Sequence, residues 1–305
     1  MSQQDVSHSL PPGIDLDRFA SLIELACTED LAERGDITSK AIDLPEEPQQ
    51  YALVARQKGV FCGKGVLAFL LGRLAPQARI TSMMAGEDGL SVEPGTQIAV
   101  MECPPVPMLS AERTLLNFLQ RLSGVATLTA RYVAAIVGTG AKIYDTRKTV
   151  PGWRELDKYA VRCGGGCNHR VGLFDAVLLK DNHLAGVSAD RLAEVVGQVV
   201  ERTRRLNPPP QFVEVEVDNL AQLAALLQVG GIDVLLLDNF SPDDLRRAVQ
   251  LRDRAALDVR IELEASGGIS LETVAAIART GVERISVGAL THSAAALDLA
   301  LDKLD

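Results

Sequence analysis

From residue 140 onward, short apolar runs return about every 20 to 35 residues, with helical patterns between them. This spacing is typical of strand–helix units, because a crossover of that length lets successive strands run in the same direction. We predict six strands, over residues 142–145, 176–180, 212–217, 234–238, 260–265 and 284–287. Six is fewer than the eight strands of a closed barrel, so the sequence predicts an incomplete or shared α/β barrel.

The sequence before residue 140 has a different character. Asp15 starts an apolar 3–4 pattern that predicts a helix ending near Gly35, after a loose N-terminal tail. Residues 51–108 are short apolar runs divided by glycine and proline, which predicts a separate β-rich domain. A proline-rich stretch at 103–107 marks its end, and Ser110 can cap the helix that follows.

Charge and composition exclude several classes of protein. The chain has a formal net charge of −9 and a pI near 5.1, which argues against a nucleic-acid-binding domain. No run approaches the roughly 18 to 20 apolar residues of a membrane span, and the polar N-terminus predicts no export signal. The five cysteines are an odd number, which favours reduced thiols and a cytoplasmic location. Cys163 and Cys167 lack a second pair at metal-ligand spacing, so we predict no metal site there.

Within this acidic chain, residues 144–183 carry more Lys and Arg than Asp and Glu, together with three adjacent glycines. A local excess of positive charge is typical of a pocket for a small, highly anionic ligand. Arg162, His169 and Arg170 are expected to converge near Arg147 and Lys148, because arginine forks suit carboxylates and phosphates. On the preceding helix Arg113 is the next candidate, whereas Arg121 is expected on a solvated helix face.

Polar residues also stand where the predicted strands end, which is where α/β barrels carry their functional groups. Lys180, Glu216 and Asp238 each occupy such a position. Glu214 and Glu262 would lie lower in the barrel, where we expect internal salt bridges rather than a functional role. The loops Ser266-Gly267-Gly268 and Gly288-Ala289-Leu290 follow the last two strands, where barrels commonly bind phosphate.

Several blocks of the sequence, taken together and in this order, resemble the quinolinate phosphoribosyltransferase family. They include AERTLLNFLQRLSG, YDTRKTVPGWRELDKYAVRCGGGCNHR, VEVEVDNL, LLLDNF, EASGGI and RISVGALTHS, and the resemblance covers about residues 15 to 300. It implies transfer of phosphoribosyl from 5-phosphoribosyl-1-pyrophosphate to quinolinate with decarboxylation, giving nicotinate mononucleotide, pyrophosphate and CO2 in NAD biosynthesis. It also implies Mg²⁺ and a homodimer with shared active sites, which could assemble further, and no nucleic-acid or membrane partner.

The family resemblance also implies a domain division. After a tail over residues 1–14, residues 15–120 would form an N-terminal α/β sandwich and residues 121–291 the barrel. A last helix over residues 292–305 would return to the first domain.

The resemblance further implies roles for individual residues. Quinolinate would be bound by Arg113, Arg147, His169, Arg170 and Lys180, with Thr146 beside them. Lys148 would meet both substrates and act in catalysis. Glu216 and Asp238 would bind the ribose hydroxyls, act in catalysis and hold the metal largely through substrate and water. Ser266, Gly267 and Gly268 would bind the 5-phosphate, with Gly288, Ala289 and Leu290 beside them.

Two other functional classes stay open on the residues alone. A barrel lyase could use Lys180 as a Schiff-base nucleophile at the end of an apolar strand. A non-catalytic pyridine or phosphate binder related to the family is the third reading, although none of the family's site residues is missing from the sequence.

Overall fold

The computed structural model describes residue 11 and residues 13–255 and 261–305, and the chain divides into two compact units. The first unit contains the described residues up to Ala130 together with Val150–Gly165 and Ser293–Asp305. The second contains Arg131–Thr149 and the described part of Gly166–His292. Most of the predicted tail over residues 1–14 lies outside the described residues, as does position 260 of the fifth predicted strand.

The first unit begins with helices and then forms antiparallel sheets. Its elements up to the long helix are α1 (Leu16–Leu31), α2 (Ile37–Lys40), β1 (Gln49–Ala55), β2 (Gly59–Phe61), α3 (Lys64–Leu74), β3 (Arg79–Met83), β4 (Leu90–Val92), β5 (Gln97–Cys103) and α4 (Pro105–Ala135). The Asp15 side chain caps α1 by accepting the backbone N–H of Arg18 at 2.9 Å. The predicted first helix and the strands of residues 51–108 are therefore confirmed, but this region also contains the helix α3 and is not a unit separate from α1.

The long helix α4 begins earlier than the sequence pattern indicates. Pro105 is its first residue, a favourable position because proline has a suitable φ and no N–H to leave unpaired. Ser110 therefore lies inside the helix, and its hydroxyl pairs with Oδ2 of Asp36 at 3.2 Å. The prediction that Ser110 caps this helix is wrong.

All six strands predicted after residue 140 are present. The remaining elements are β6 (Lys142–Tyr144), α5 (Arg154–Cys163), β7 (Val177–Leu179), α6 (Asp181–Leu184), a 3-10 turn (Ala189–Arg191), α7 (Leu192–Thr203), β8 (Val213–Val217), α8 (Leu220–Leu226), β9 (Val234–Asp238), α9 (Pro242–Arg254), β10 (Glu262–Ser266), α10 (Val274–Ala278), β11 (Arg284–Ser286), α11 (Ala289–His292) and β12 (Leu299–Lys303).

The second unit is built on a six-stranded parallel sheet in the order β6-β11-β10-β9-β8-β7. β6, the first of these strands along the chain, pairs with β11, the last, as in a barrel. β6 and β7 form the two edges of the sheet and are not neighbours in it. Cys167 alone bridges to the edge of β6, where its N–H donates to the Ile143 carbonyl at 2.7 Å. This arrangement confirms the predicted α/β class with an incomplete barrel.

The barrel is open at the point where the chain leaves it for the first unit. Residues 150–165, predicted to belong to the barrel domain, pack in the first unit instead. Trp153 stacks on Phe118 with ring centroids 4.7 Å apart. Arg121 binds the buried Asp157 carboxylate at 3.0 Å, so the expectation that Arg121 lies on a solvated helix face is wrong. These contacts explain why residues 150–165 belong to the first unit, because they pack the Trp153 ring and pair the buried charge of Asp157.

The C-terminal segment returns to the first unit as a strand rather than as the expected helix over residues 292–305. Only Ala289–His292 is helical there, and β12 pairs antiparallel with β1, with Tyr51 opposite Lys303. The resulting sheet has the order β12-β1-β5-β3, and β2 pairs with β4 in a separate two-stranded sheet. Within the described ranges, none of the helices combines the length and apolar character that crossing a bilayer requires.

Candidate active site

A cavity of about 630 Å³ opens at the carboxyl ends of the parallel strands of the second unit. This volume is typical of small-molecule sites, and α/β barrels carry their active sites at this end. The predicted site residues that line the cavity are Thr146, Arg147, Lys148, His169, Arg170, Lys180, Glu216, Asp238, Ser266, Gly267 and Gly268. The structure thus brings together residues spread over more than a hundred positions of the sequence.

One wall of this cavity is cationic. The Nε atom of Arg147 is buried and has no hydrogen-bond partner within the described part of the chain. Arg170 is also buried, and its Nη1 donates to the Ala176 carbonyl at 3.4 Å. Burial lowers the pKa of the Arg170 guanidinium, and the positive charge of Arg147 lowers it further. Two neighbouring guanidiniums with spare donors form a site for an anion. A bound anion would offset both the burial of the Arg170 charge and its repulsion from Arg147.

Another part of the rim carries carboxylates at the ends of two neighbouring strands. Glu216 is the penultimate residue of β8, and Asp238 is the last residue of β9. These two strands pair in parallel. The Glu216 Oε2 atom lies 3.1 Å from Nζ of the half-exposed Lys180. Such carboxylates can accept hydroxyl hydrogen bonds or coordinate a hard cation such as Mg²⁺.

Next to Asp238, the chain turns through Ser266-Gly267-Gly268 at the end of β10. Ser266 stands opposite Asp238 in the register of β9 and β10. Gly267 and Gly268 have φ values of 97° and 59°, a region that side-chain-bearing residues rarely adopt. A turn of this kind leaves backbone N–H groups able to approach a phosphate closely.

A buried cluster formed by His169, Glu214 and Glu264, which we call the acid cluster, adjoins the cavity, which His169 and Glu264 also line. The Nδ1 atom of His169 accepts the Arg170 backbone N–H at 2.8 Å, so the proton of a neutral ring lies on Nε2. That Nε2 is 2.9 Å from Glu214 Oε2 and 3.5 Å from Glu264 Oε1. Burial raises the pKa of Glu214 to about 7. Burial, with the charge of Glu214, also raises the pKa of Glu264 to about 7.

The acid cluster already contains a cation. Arg284 places its Nε 2.7 Å from Glu264 Oε2, and its guanidinium lies over the Tyr144 ring, 4.1 Å from the centroid. Glu262 is also 3.6 Å from this arginine, which agrees with the salt-bridge role expected for it. His169, Glu214 and Glu264 are the one group of three possible metal ligands found close together among the described residues. Because Arg284 occupies their neighbourhood, we assign them an internal electrostatic role.

Asp145 fixes the loop that carries His169 and Arg170 into the cavity. This aspartate is fully buried at the end of β6, and its Oδ1 accepts the His169 backbone N–H at 2.8 Å. Its Oδ2 accepts Nδ2 of Asn168 at 2.6 Å. The carboxylate thereby joins the loop to the strand end that supplies Arg147 and Lys148.

Comparison with known proteins places the chain in a family. Models of the quinolinate phosphoribosyl transferase N-terminal and C-terminal domains match residues 36–123 and 125–302. The chain belongs to the quinolinate phosphoribosyl transferase family. It is 42% identical over 290 residues to a nicotinate-nucleotide pyrophosphorylase [carboxylating] of Mycobacterium leprae, covering 94% of this chain and 98% of that one.

Solved structures give the same assignment. The structure of the nicotinate-nucleotide pyrophosphorylase from Francisella tularensis is 36% identical in sequence and superposes with a TM-score of 0.85. The similarity covers 95% of this chain and 98% of the Francisella protein. The corresponding protein from Ehrlichia chaffeensis is 33% identical with a TM-score of 0.82, over 94% of this chain and 98% of that one.

Four residues that the family resemblance assigns to the site do not line the cavity of this phosphoribosyl transferase. Arg113 lies on the exposed face of α4 in the first unit. Gly288 stands beside Lys148, since a Cβ added to it would be 3.0 Å from Cδ of that lysine. Ala289 and Leu290 are in the short helix α11, where Leu290 is fully buried. Arg162, expected to converge with His169, instead lies on α5 over the Tyr159 ring.

Sequence reasoning missed three polar residues of the cavity wall, Asn239, Glu264 and Ser286. Ser286 lies two positions after Arg284 on β11, so strand alternation would have found it. Glu264 lies two positions after Glu262 on β10, so the same alternation would have found it. Asn239 directly follows Asp238, and no periodic pattern distinguishes it.

Proposed function

We propose that this protein transfers the phosphoribosyl group of 5-phosphoribosyl-1-pyrophosphate to quinolinate, releasing pyrophosphate and CO2 and leaving nicotinate mononucleotide. The observation that carries the proposal is one cavity that is lined by Arg147 and the buried Arg170, two rim carboxylates and a glycine turn suited to phosphate. Quinolinate brings two adjacent carboxylates and its co-substrate brings phosphate and pyrophosphate. The carboxylating pyrophosphorylases to which the chain is similar support the same reaction.

In the proposed reaction the pyridine nitrogen forms a bond to C1 of the ribose while the bond to pyrophosphate breaks. Loss of CO2 then leaves an electron pair at the ring carbon, which takes up a proton. Arg147 and Arg170 would hold the quinolinate carboxylates, His169 would stand beside them, and Lys180 would complete the cationic wall. Lys148 would lie between the two substrates, with its backbone carbonyl held by the Thr291 hydroxyl at 2.8 Å.

For the second substrate, Glu216 and Asp238 would accept the ribose hydroxyls, and Ser266, Gly267 and Gly268 would bind the 5-phosphate. Positioning of two bound reactants is worth several orders of magnitude in rate, and fixed charges add to it. Preorganised arginines and lysines thereby supply both the binding and the stabilisation of developing charge.

We also propose that Mg²⁺ acts through the pyrophosphate substrate, near Glu216 and Asp238. Mg²⁺ prefers one or two carboxylates together with phosphate oxygens and water, and the rim offers such a pair. When bound, the ion would neutralise the charge of the leaving pyrophosphate. The acid cluster is a poorer fit, since Arg284 is already its cation.

A homodimer with shared active sites is the assembly we propose. Val106, Leu109 and Arg113 follow one another at helical spacing on α4, and all three side chains are exposed. An exposed apolar stripe beside a family site residue supports burial of this face against the second copy.

The five cysteines are free thiols, which supports a reducing, cytoplasmic compartment.

Incubation of the purified protein with both substrates and Mg²⁺, followed by detection of nicotinate mononucleotide, tests the proposed function. Nicotinate should replace quinolinate poorly, because the missing carboxylate leaves a buried cation unpaired, a loss of about 1 to 3 kcal/mol. Equal turnover of the two pyridines would exclude the assignment.

The structure does not favour the lyase alternative. A Schiff-base lysine must lose its charge, which requires a desolvated site or a neighbouring cation. Lys180 is instead half exposed, and its neighbour at 3.1 Å is the Glu216 carboxylate rather than a cation, so neither condition is met.

A further inference from the structure

Asn239 has an unusual backbone conformation at the wall of the cavity. Its φ of 56° lies in the left-handed region, where among the described residues only one other non-glycine residue, Ala32, has a positive φ. Glycine would adopt this conformation without a steric penalty, whereas a residue with a Cβ is disfavoured there, asparagine less than most. Asparagine is one of the few side-chain-bearing residues that tolerate this conformation, and unlike glycine it brings an amide that can form contacts here.

The Asn239 side chain contacts both halves of the proposed phosphoribosyl site. Its Nδ2 donates to Oδ2 of Asp238 at 2.6 Å. Its Oδ1 lies against the backbone of Gly267, where an added Cβ would overlap Oδ1 and stand only 2.7 Å from Cγ. The Asn239 backbone N–H also donates to the Ser266 carbonyl at 2.9 Å.

These contacts connect two strand ends that would bind different parts of one ligand. Asp238 ends β9, Ser266 ends β10, and the two residues are opposite each other in the register. The carboxylate would accept ribose hydroxyls, whereas the loop would bind the 5-phosphate. Because only a few bonds join these groups in the ligand, their separation varies within a limited range, and strand ends held at a matching separation favour binding.

We propose that Asn239 is a positioning residue for the phosphoribosyl substrate, a role that rests on the proposed function. Its amide holds one oxygen of Asp238, and its carbonyl sets the approach of the Gly267 backbone. Gly267 in turn must be glycine, because its φ of 97° and the neighbouring Asn239 side chain both exclude a Cβ. The proposed quinolinate-binding residues of the cavity follow β6 or β7 or lie between these strands, outside this connection.

The test is Asn239→Gly, which keeps the left-handed backbone and removes only the side chain. Calorimetry should show 5-phosphoribosyl-1-pyrophosphate binding about 10- to 100-fold more weakly, because binding must then order the two strand ends that the charged Asn239–Asp238 hydrogen bond holds in the wild type. Quinolinate affinity, measured alone, should stay within about twofold of wild type. In steady-state kinetics, KM for the phosphoribosyl substrate should rise by a similar factor while KM for quinolinate does not change.

Asn219→Gly is the matched control, since Asn219 follows the neighbouring strand β8 and caps α8 without lining the cavity. It should leave both affinities unchanged, because replacement of a cap by glycine costs only a few tenths of a kcal/mol. Asn239→Asp keeps Oδ1 and the backbone but sets a second carboxylate beside Asp238, so it should impair the same substrate.

Equal loss of both affinities in Asn239→Gly, or loss of neither, would overturn the positioning role while leaving the proposed function intact. Wild-type protein that binds neither compound would overturn the proposed function, and the role of Asn239 with it.

Discussion

Arg284 Nε lies 2.7 Å from Oε2 of Glu264, which makes this arginine the cation of the buried acid cluster at the cavity. Glu264 and Glu214 are both fully buried, and their shared repulsion is only partly compensated by one guanidinium. The cluster supports the floor of the site because His169, which lines the cavity, is in contact with both carboxylates.

The acid cluster predicts a specific pH dependence of stability. The Glu264 pKa is raised from 4.5 to about 7, chiefly by burial, so the folded state binds a proton more tightly than the unfolded state. Its contribution to stability is therefore present below about pH 4.5 and is lost as pH rises through about 7. Glu264→Gln stays neutral, so relative to wild type its free energy of unfolding should increase by up to about 3 kcal/mol between pH 5 and pH 8.

Urea unfolding at several pH values measures this difference. Glu262→Gln is the control, since Glu262 is on the same strand and near the same arginine but is about half exposed. A parallel change in both variants would mean that the effect comes from the surface charge of the sheet rather than from burial of Glu264.

Removal of a cation from the cavity wall should weaken ligand binding without unfolding the protein. Arg147→Ala and Lys180→Ala should each reduce quinolinate affinity by about tenfold or more, the value of one charge-assisted hydrogen bond. The melting temperature should change little, because the buried Arg147 Nε has no partner in the described structure to lose. Calorimetry with a thermal melt measures both, and Arg191→Ala, at an exposed ion pair, is the control. Normal affinity with a collapsed melting temperature would identify structural ion pairs instead.

Asp238→Asn should increase the Mg²⁺ and 5-phosphoribosyl-1-pyrophosphate concentrations needed for half-maximal activity. Quinolinate binding should be spared, because the substitution removes negative charge from the rim and leaves the cationic wall unchanged. Initial rates at varied metal and co-substrate, with calorimetry for quinolinate, measure the two effects. Tight Mg²⁺ retained by the isolated wild-type protein, measured by atomic absorption after gel filtration, would contradict a metal held mainly through substrate.

The shared-site dimer predicts complementation between two inactive variants. Arg113→Ala removes the α4 arginine and Lys180→Ala removes a residue of the cavity. If Arg113 serves the partner's site, mixed dimers contain one site with both residues intact, so activity should partly return after subunit exchange. Exchange verified by differently tagged chains, with no recovery of activity, would place Arg113 outside the partner's site.

The sequence by itself determined the strands of the barrel and the residues at their ends. Runs such as VEVEV and VLLLD carry their strand preference locally, and a carboxylate at the end of a parallel strand must stand at the rim. Nine of the eleven predicted site residues that line the cavity do so for this reason, whereas His169 and Arg170 reach it from a loop. Family resemblance added the chemistry, which strand patterns do not contain.

The tertiary structure alone decided features that depend on partners far away in the chain. LALDK has apolar positions compatible with either a helix or a strand, and it is a strand because it pairs with the edge of β1. Residues 150–165 join the first unit because Asp157 finds Arg121 and Trp153 finds Phe118. The Asn239 side chain packs against Gly267, which follows the next strand, β10. Local patterns are set by neighbours in sequence, whereas these choices are set by contacts that form only on folding.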